Sequence, residues 1–166
     1  MTKKRRSTDH KRRIQSLRNS AVSDRVEPKL LVFVSSAISE MESERQAVKK
    51  AIESIPLARA WVFEYTPASA DQVEDTYIQK VRECAIFILL VAGDLPGPVR
   101  RECEIARLSN KRMLIFLRGD IERPTGVQEY INSLGPKWKE YVDITSLQQE
   151  VKNALTDEII KGYTLV

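Results

Sequence analysis

The chain has 166 residues, 42% of them hydrophobic, which is the length and composition of one domain with a buried core. Its formal net charge is +4, and no apolar run approaches the roughly 20 residues that a membrane-spanning helix needs. Because no apolar segment of a secretory signal follows the charged N-terminus, the sequence predicts a cytoplasmic protein without a membrane partner.

The first predicted segment is a basic arm over residues 1–29. This arm holds ten of the 27 lysine and arginine residues but three of the 23 acidic residues, so residues 30–166 are slightly acidic. Few of its side chains are apolar, and we expect it to be disordered apart from a possible short helix over residues 14–21. An arm of this charge can bind nucleic acid or another acidic partner. The alternative is a solvated tail that tethers the domain.

Residues 30–166 alternate between apolar strands and amphipathic helices. The run LLVFVS at residues 30–35 is typical of a strand that is buried on both faces. A helix with an apolar stripe follows it and ends at Pro56. The remaining predicted elements are strands over residues 59–65, 85–91, 112–117 and 138–142, and helices over residues 71–82, 98–110, 125–134 and 146–160.

Five strands that alternate with five helices predict a three-layer α/β domain over residues 30–166. Its parallel sheet should have the strand order 2-1-3-4-5, with helices on both faces. In such sheets ligands bind beyond the carboxyl ends of the strands, near the point where the strand order reverses. That point lies here between strands one and three.

Two loops reach this predicted site. Ser35 and Ser36 follow the first strand and offer hydroxyl groups and a helix N-terminus to a phosphate or ribose, although Ser36 could instead only cap the helix. Gly93, Asp94 and Gly97 belong to the loop after the third strand, which can approach a ligand closely or be an ordinary turn. Neither loop contains a Walker A lysine or a G-x-G-x-x-G motif, which argues against an ATPase or a dehydrogenase.

The helix after the third strand carries a candidate carboxylate. Its apolar stripe contains Val99, Cys103 and Ala106, and at 100° per residue Glu102 flanks that stripe while Glu104 points away. Glu102 could stabilise a cationic sugar or bind ribose hydroxyls. The alternative is a favourable charge near the positive end of the helix dipole.

Two arginines complete the candidate ligand-binding set. Arg100 and its neighbour Arg101 lie in the first turn of that helix, where the dipole disfavours cations, which hints at an anionic partner. Arg45 follows Glu44 in the first helix and could reach a phosphate or orient a carboxylate. The alternatives are a solvated pair for the former and a structural salt bridge for the latter.

The two cysteines do not suggest chemistry. Cys84 and Cys103 lie in apolar stretches, and the single histidine, His10, lies in the arm. This set has no metal-ligand spacing, so we predict no metal and no resident cofactor. A catalytic thiol would lack a nearby histidine, and the cysteines are interpreted as buried free thiols.

Four stretches together resemble domain-of-unknown-function family 4062. They are LLVFVSSAISEMESERQAVKKAI with its Ser-Ser and Glu-Arg pairs, VFEYTPAS, YIQKVRECAIFILLVAG and RECEIARLSNKRMLIFL. That family is regarded as similar to TIR domains and nucleoside deoxyribosyltransferases. The resemblance therefore implies a flavodoxin/TIR-like fold. In those relatives a glutamate on the helix after the third strand performs the glycosidic chemistry, and the matching position here is Glu102.

The resemblance implies an N-glycosidase that acts on NAD or another nucleotide as its substrate, in bacterial signalling or defence. It also implies self-association or a protein partner, because TIR-like enzymes often assemble. The loop Gly93–Gly97 lacks an aromatic residue that many family members have there. A second hypothesis is therefore a ligand-sensing or protein-interaction module without turnover, and a third is a nucleic-acid-associated protein that uses its arm.

Overall fold

The computed structural model describes residues 28–65 and 68–164. The predicted arm lies outside these residues except for its last two positions, and so does the helix expected at residues 14–21. The described residues form β1 (Leu30–Ser35), α1 (Glu42–Glu53), β2 (Ala58–Trp61), a 3-10 helix (Phe63–Tyr65), α2 (Val73–Glu83), β3 (Ile86–Val91), α3 (Gly97–Leu108), β4 (Arg112–Arg118), α4 (Thr125–Ser133), β5 (Trp138–Tyr141) and α5 (Ile144–Thr164).

The five strands form one parallel sheet in the order β2-β1-β3-β4-β5, which confirms the predicted architecture. β3 is buried along its whole length, as its unbroken apolar sequence predicts for a central strand. The order in which strands are added to the sheet reverses between β1 and β3, where Val32 pairs with Ile86 and Ser35 with Leu89. The carboxyl end of β1 lies at the floor of the site described below.

One apolar core lies on each face of the sheet. α1 and α5 cover one face, and their core side chains include Ile52 and Leu155. α2, α3 and α4 cover the other face, with Val81, Cys103 and Ile131 in the core. Alternate side chains of each strand point to opposite faces, so every strand contributes to both cores. No helix of the described residues is long and apolar enough to cross a membrane.

Two sequence-based expectations about the carboxyl ends of the strands were wrong. The second strand ends at Trp61 and not at residue 65, because the chain turns there into the 3-10 helix. The first helix begins at Glu42, after a turn over residues 38–40, and its N-cap is Met41. Ser36 therefore caps no helix, and the loop after β1 presents side chains and not a helix N-terminus.

Both cysteines are buried free thiols, as predicted. Burial raises the pKa of Cys84 to about 11 and raises the pKa of Cys103 further above its usual value. A thiolate is the reactive form of cysteine. These two residues therefore belong to the core and are not candidates for nucleophilic chemistry.

Candidate active site

A cavity of about 550 Å³ lies beyond the carboxyl ends of β1 and β2 and below the N-terminal turns of α2 and α3. This volume is typical of a site for a small molecule. The cavity shares the end of β1 and the start of α3 with the predicted position between strands one and three, but it extends beyond β2, and no residue of β3 lines it. Its apolar wall consists of Phe33, Val34, Ala37, Ile38, Trp61, Phe63, Val73, Tyr77, Pro96, Pro98 and Val99.

The floor of the cavity contains the serine pair at the end of β1. Ser35 and Ser36 are 1% and 7% exposed, and both line the cavity. Because successive side chains of an extended chain point in opposite directions, the two hydroxyl groups serve different partners. Ser35 donates a hydrogen bond to the carboxylate of Glu102 on α3. Ser36 accepts one from Nη1 of Arg45 on α1, at 3.4 Å.

Glu102 reaches the cavity because of its place on α3. The buried stripe of this helix contains Val99, Cys103 and Ala106, and Glu102 lies three residues after the first and four residues before the last of them. Its carboxylate is therefore held at the edge of the core, where it lines the cavity. Glu104 lies on the outer side of the helix and pairs with Arg107 at 2.8 Å.

The electrostatic environment of Glu102 is unusual for a carboxylate. Burial raises its pKa to about 7, and the hydrogen bond from Ser35 opposes this rise. Among the described residues no lysine or arginine forms an ion pair with it. Arg101, the residue before it, pairs instead with Glu74 at 2.8 Å. Glu102 is thus a carboxyl group that exchanges its proton near neutral pH, a property that is frequent at functional sites.

A second carboxylate lines the cavity from the side of β2. Glu64, in the 3-10 helix, accepts a hydrogen bond from Nε of Arg45 at 2.5 Å. Arg45 is 4% exposed and also donates to the carbonyl oxygen of Ala37 at 2.9 Å. A continuous row of polar groups therefore crosses the floor of the cavity. We call it the polar belt, and it consists of Glu102, Ser35, Ser36, Arg45 and Glu64.

The loop after β3 contributes less than expected. Gly93, Asp94 and Gly97 do not line the cavity, and this loop contributes Pro96 instead. The exposed carboxylate of Asp94 accepts a hydrogen bond from the backbone of Leu95 at 2.7 Å. A ligand role for these three residues stays a prediction.

The arginines at the start of α3 have partners within the protein. Arg100 donates to the carbonyl oxygen of Leu95 at 3.1 Å, and its guanidinium group lies 4.8 Å from the centroid of the Tyr130 ring. Arg101 pairs with Glu74, as described above. Neither arginine lines the cavity. Their position near the positive end of the helix dipole is therefore explained without an anionic ligand, although ligand binding by Arg100 stays a prediction.

The aromatic wall of the cavity was not expected from the sequence. Trp61 stacks on Phe33 with ring centroids 4.7 Å apart, and Phe63 meets Trp61 edge to face at 6.3 Å. Tyr77 faces them from α2, and burial, Glu74 and Glu102 together raise its pKa. The signal for Trp61 and Phe63 was present as aromatic side chains at and just after the end of β2, but it is also the ordinary signal of a buried strand.

Glu44, the neighbour of Arg45, contacts the ends of β4 and β5. It is 6% exposed and accepts contacts from the hydroxyl of Tyr141 and from Nη1 of Arg118, both at 3.5 Å. Burial and then Glu44 raise the pKa of Tyr141 above its usual value. Glu44 does not line the cavity, so the Glu-Arg pair of the sequence separates into two different environments.

Residues 31–163 match the family described as a domain of unknown function (DUF4062). The chain belongs to this family. The match includes all five strands and all five helices of the described residues except for the first residue of β1 and the last residue of α5, and it confirms the resemblance that the four sequence stretches indicated. No curated protein matches the sequence.

Solved structures with a similar fold include the CMP N-glycosidase of Clostridium botulinum. That structure has a TM-score of 0.56 and 13% identity, and the alignment covers 75% of this chain and 98% of the other. A flavodoxin-like domain from Synechococcus sp. has a TM-score of 0.47 and 13% identity, with 78% and 99% covered. At these identities the likeness concerns the fold.

Proposed function

We propose that this DUF4062 domain binds a nucleotide and cleaves its N-glycosidic bond, with Glu102 as the catalytic carboxylate. The observation that carries the proposal is the position of Glu102, which lies partly buried at the wall of the cavity, is bonded to Ser35 and has no cationic partner among the described residues. A carboxylate in such a place stabilises positive charge that develops on a substrate. A structure of similar fold is named a CMP N-glycosidase, which supports the proposal.

The charges and walls of the cavity favour a cationic reaction centre. Glu102 and Glu64 supply two carboxylates, and Arg45 supplies the single positive charge among the lining residues. An aromatic wall that includes Trp61 and Phe63 suits a flat heterocycle, and it attracts a heterocycle that is positively charged. NAD fits this description, since its nicotinamide ring is cationic until the glycosidic bond breaks.

The proposed reaction proceeds in two steps on the ribose. The bond between C1′ and the base nitrogen breaks, and its electron pair leaves with the base, which neutralises the nicotinamide ring of NAD. The carboxylate of Glu102 stabilises the resulting ribosyl cation. Water then attacks C1′ and gives up a proton, which Glu102 can accept because its pKa lies at about 7.

The alternative is a binding module without turnover. One observation favours it: with a pKa of about 7, a substantial fraction of Glu102 is protonated at neutral pH and would then donate a hydrogen bond. Such a carboxyl group can recognise a ligand without stabilising a cation. The same experiment separates the two functions.

The first test is NAD consumption by the full chain at high protein concentration, because the resemblance implies that assembly promotes activity. We expect the wild type to release nicotinamide and the Glu102→Gln variant to be slower by about 100-fold or more. Glu104→Gln is the matched control, since it changes a glutamate of the same helix that lies outside the cavity.

Three outcomes decide between the functions. Turnover by the wild type and by Glu104→Gln, with loss in Glu102→Gln, supports the glycosidase. Binding of NAD by calorimetry without nicotinamide release supports the binding module. Equal turnover in both variants would show that another group carries the chemistry.

A further inference from the structure

Glu64 is a residue of the cavity to which neither the sequence analysis nor the proposed reaction assigns a contact with the substrate. It lies in the 3-10 helix directly after β2, on the opposite side of the serine pair from Glu102. Its side chain is 27% exposed, so it is partly open to the cavity. The cavity therefore has one carboxylate at each end of its polar belt.

Arg45 fixes the orientation of Glu64. The Nε–H of Arg45 donates to Oε1 of Glu64, while its Nη1 is committed to Ala37 and Ser36. Because the guanidinium group is almost fully buried and bonded on both sides, it holds the carboxylate in one place. Among the described residues nothing donates a hydrogen bond to Oε2 of Glu64, so this oxygen is left to accept bonds from a ligand.

These contacts decide which ligand group suits this end of the belt. A phosphate group at this place would be repelled by the carboxylate of Glu64. The positive charge of Arg45 is already paired with that carboxylate. A carboxylate accepts hydrogen bonds only, so its natural partners are hydroxyl groups and other donors. A ribose offers two adjacent hydroxyl groups, and the belt offers an acceptor for them beside two serine hydroxyls.

We propose that Glu64, held by Arg45, accepts the vicinal hydroxyl groups of ribose, so that the site takes ribonucleotides in preference to 2′-deoxyribonucleotides. This inference rests on the proposed function, since it assigns a substrate class to the same cavity. Arg45 is then a positioning residue that acts through Glu64, and the binding role that its sequence position suggested is indirect.

The test measures binding and not rate, because loss of the 2′-hydroxyl also makes a glycosidic bond intrinsically easier to break. The full chain with Glu102→Gln is titrated by calorimetry with NAD and with the analogue that lacks the 2′-hydroxyl of the nicotinamide ribose. A lost hydrogen bond to a charged group weakens binding by about 10- to 100-fold, and we expect that ratio between the two Kd values. In the double variant Glu64→Gln, Glu102→Gln the ratio should fall severalfold, because the amide oxygen of glutamine is a neutral and therefore weaker acceptor.

The control is Glu74→Gln in the same Glu102→Gln background. It breaks a Glu-Arg pair at the rim, between Glu74 and Arg101, without changing a cavity residue. The ratio of Kd values should keep its full size in this variant. The comparison of NAD with its 2′-deoxy analogue on the Glu102→Gln variant requires no change at Glu64. It therefore tests the proposal even if the double variant fails to fold.

The outcomes separate this inference from the proposed function. Equal Kd values for the two probes overturn the role of Glu64, whether or not NAD is hydrolysed by the wild type. A large ratio of Kd values that persists unchanged in Glu64→Gln also overturns it, because another group then recognises the hydroxyl groups of the ribose. A large ratio that falls severalfold in Glu64→Gln supports it even if no nicotinamide is released, in which case only the glycosidase proposal fails. Binding of neither probe contradicts both.

Discussion

Two glutamates at the carboxyl edge of the same sheet differ in what surrounds them. Glu44 is 6% exposed but has Arg118 and Tyr141 as partners, each at 3.5 Å, and does not line the cavity. Glu102 lines a cavity and has the hydroxyl of Ser35 as its partner, with no ion pair among the described residues. Burial therefore does not identify a functional carboxylate by itself. The informative combination is burial with open space and without a compensating cation.

The largest difference between the two glutamates should be in stability at alkaline pH. The pKa of Glu102 is raised from 4.5 to about 7 in the folded protein. At pH 4 Glu102 is mainly protonated in both the folded and the unfolded states, so its ionisation does not change the free energy of unfolding. Between pH 4.5 and 7 only the unfolded state releases it, and above pH 7 the folded protein carries the full cost of a buried charge.

Glu102→Gln should therefore increase the free energy of unfolding by about 1–3 kcal/mol at pH 8 and leave it unchanged at pH 4. Urea denaturation of the wild type and the variant at both pH values measures this. A variant that is less stable than the wild type at pH 8 would mean that Glu102 is a structural group like Glu44.

Glu44→Gln should have the opposite and smaller effect. The substitution leaves the guanidinium group of Arg118 without this carboxylate, but Arg118 is 35% exposed and keeps Asp120 at 2.9 Å. We expect a decrease in the free energy of unfolding of about 1 kcal/mol at pH 8. Urea denaturation under the same conditions measures it, and NAD turnover per folded molecule should stay within about twofold of the wild type. A severe loss of turnover with intact stability would contradict the distinction between the two residues.

The smallest expected effect is a change in the pKa of Glu102, and it tests the role of the serine pair. The hydrogen bond from Ser35 lowers the pKa of Glu102 against the effect of burial, so Ser35→Ala should raise that pKa. If the reaction needs the ionised carboxylate, kcat/KM rises with pH through about 7 in the wild type. Its midpoint should move to higher pH in Ser35→Ala.

The pH dependence of nicotinamide release between pH 5 and 9 measures this midpoint. Ser36→Ala is the matched control, because Ser36 bonds to Arg45 and not to Glu102. Its midpoint should equal that of the wild type. An unchanged midpoint in Ser35→Ala, or one that moves to lower pH, would show that the hydrogen bond does not control the charge of Glu102.

The sequence predicted the parts of the site that depend on local periodicity. The alternation of apolar runs and helices predicted a parallel sheet with helices on both faces, and the favoured strand order 2-1-3-4-5 is confirmed. The spacing of Glu102 from Val99 and Ala106 placed it beside the buried stripe and excluded Glu104. These inferences need only the repeat of a helix or a strand.

The parts that depend on contacts between distant elements were not predicted. Glu64 was assigned to the second strand, because an apolar and aromatic stretch gives no sign that the chain turns into a 3-10 helix after Trp61. Ser36 looked like an N-cap, since its hydroxyl would suit that position, but the turn before Met41 sets the start of α1. The pairing of Arg45 with Glu64 follows from how α1 packs beside β2, which no local pattern encodes.

The two outer strands of the sheet, β2 and β5, have consequences for how copies of this chain can meet. Each is four residues long, and their exposed side chains are charged, with Arg59 on one and Lys139 and Glu140 on the other. Short, charged outer strands are a common protection against the edge-to-edge strand pairing that leads to aggregates. A functional assembly of this domain would therefore form through its helices and loops, at surfaces that evolution can alter without exposing the backbone of the sheet.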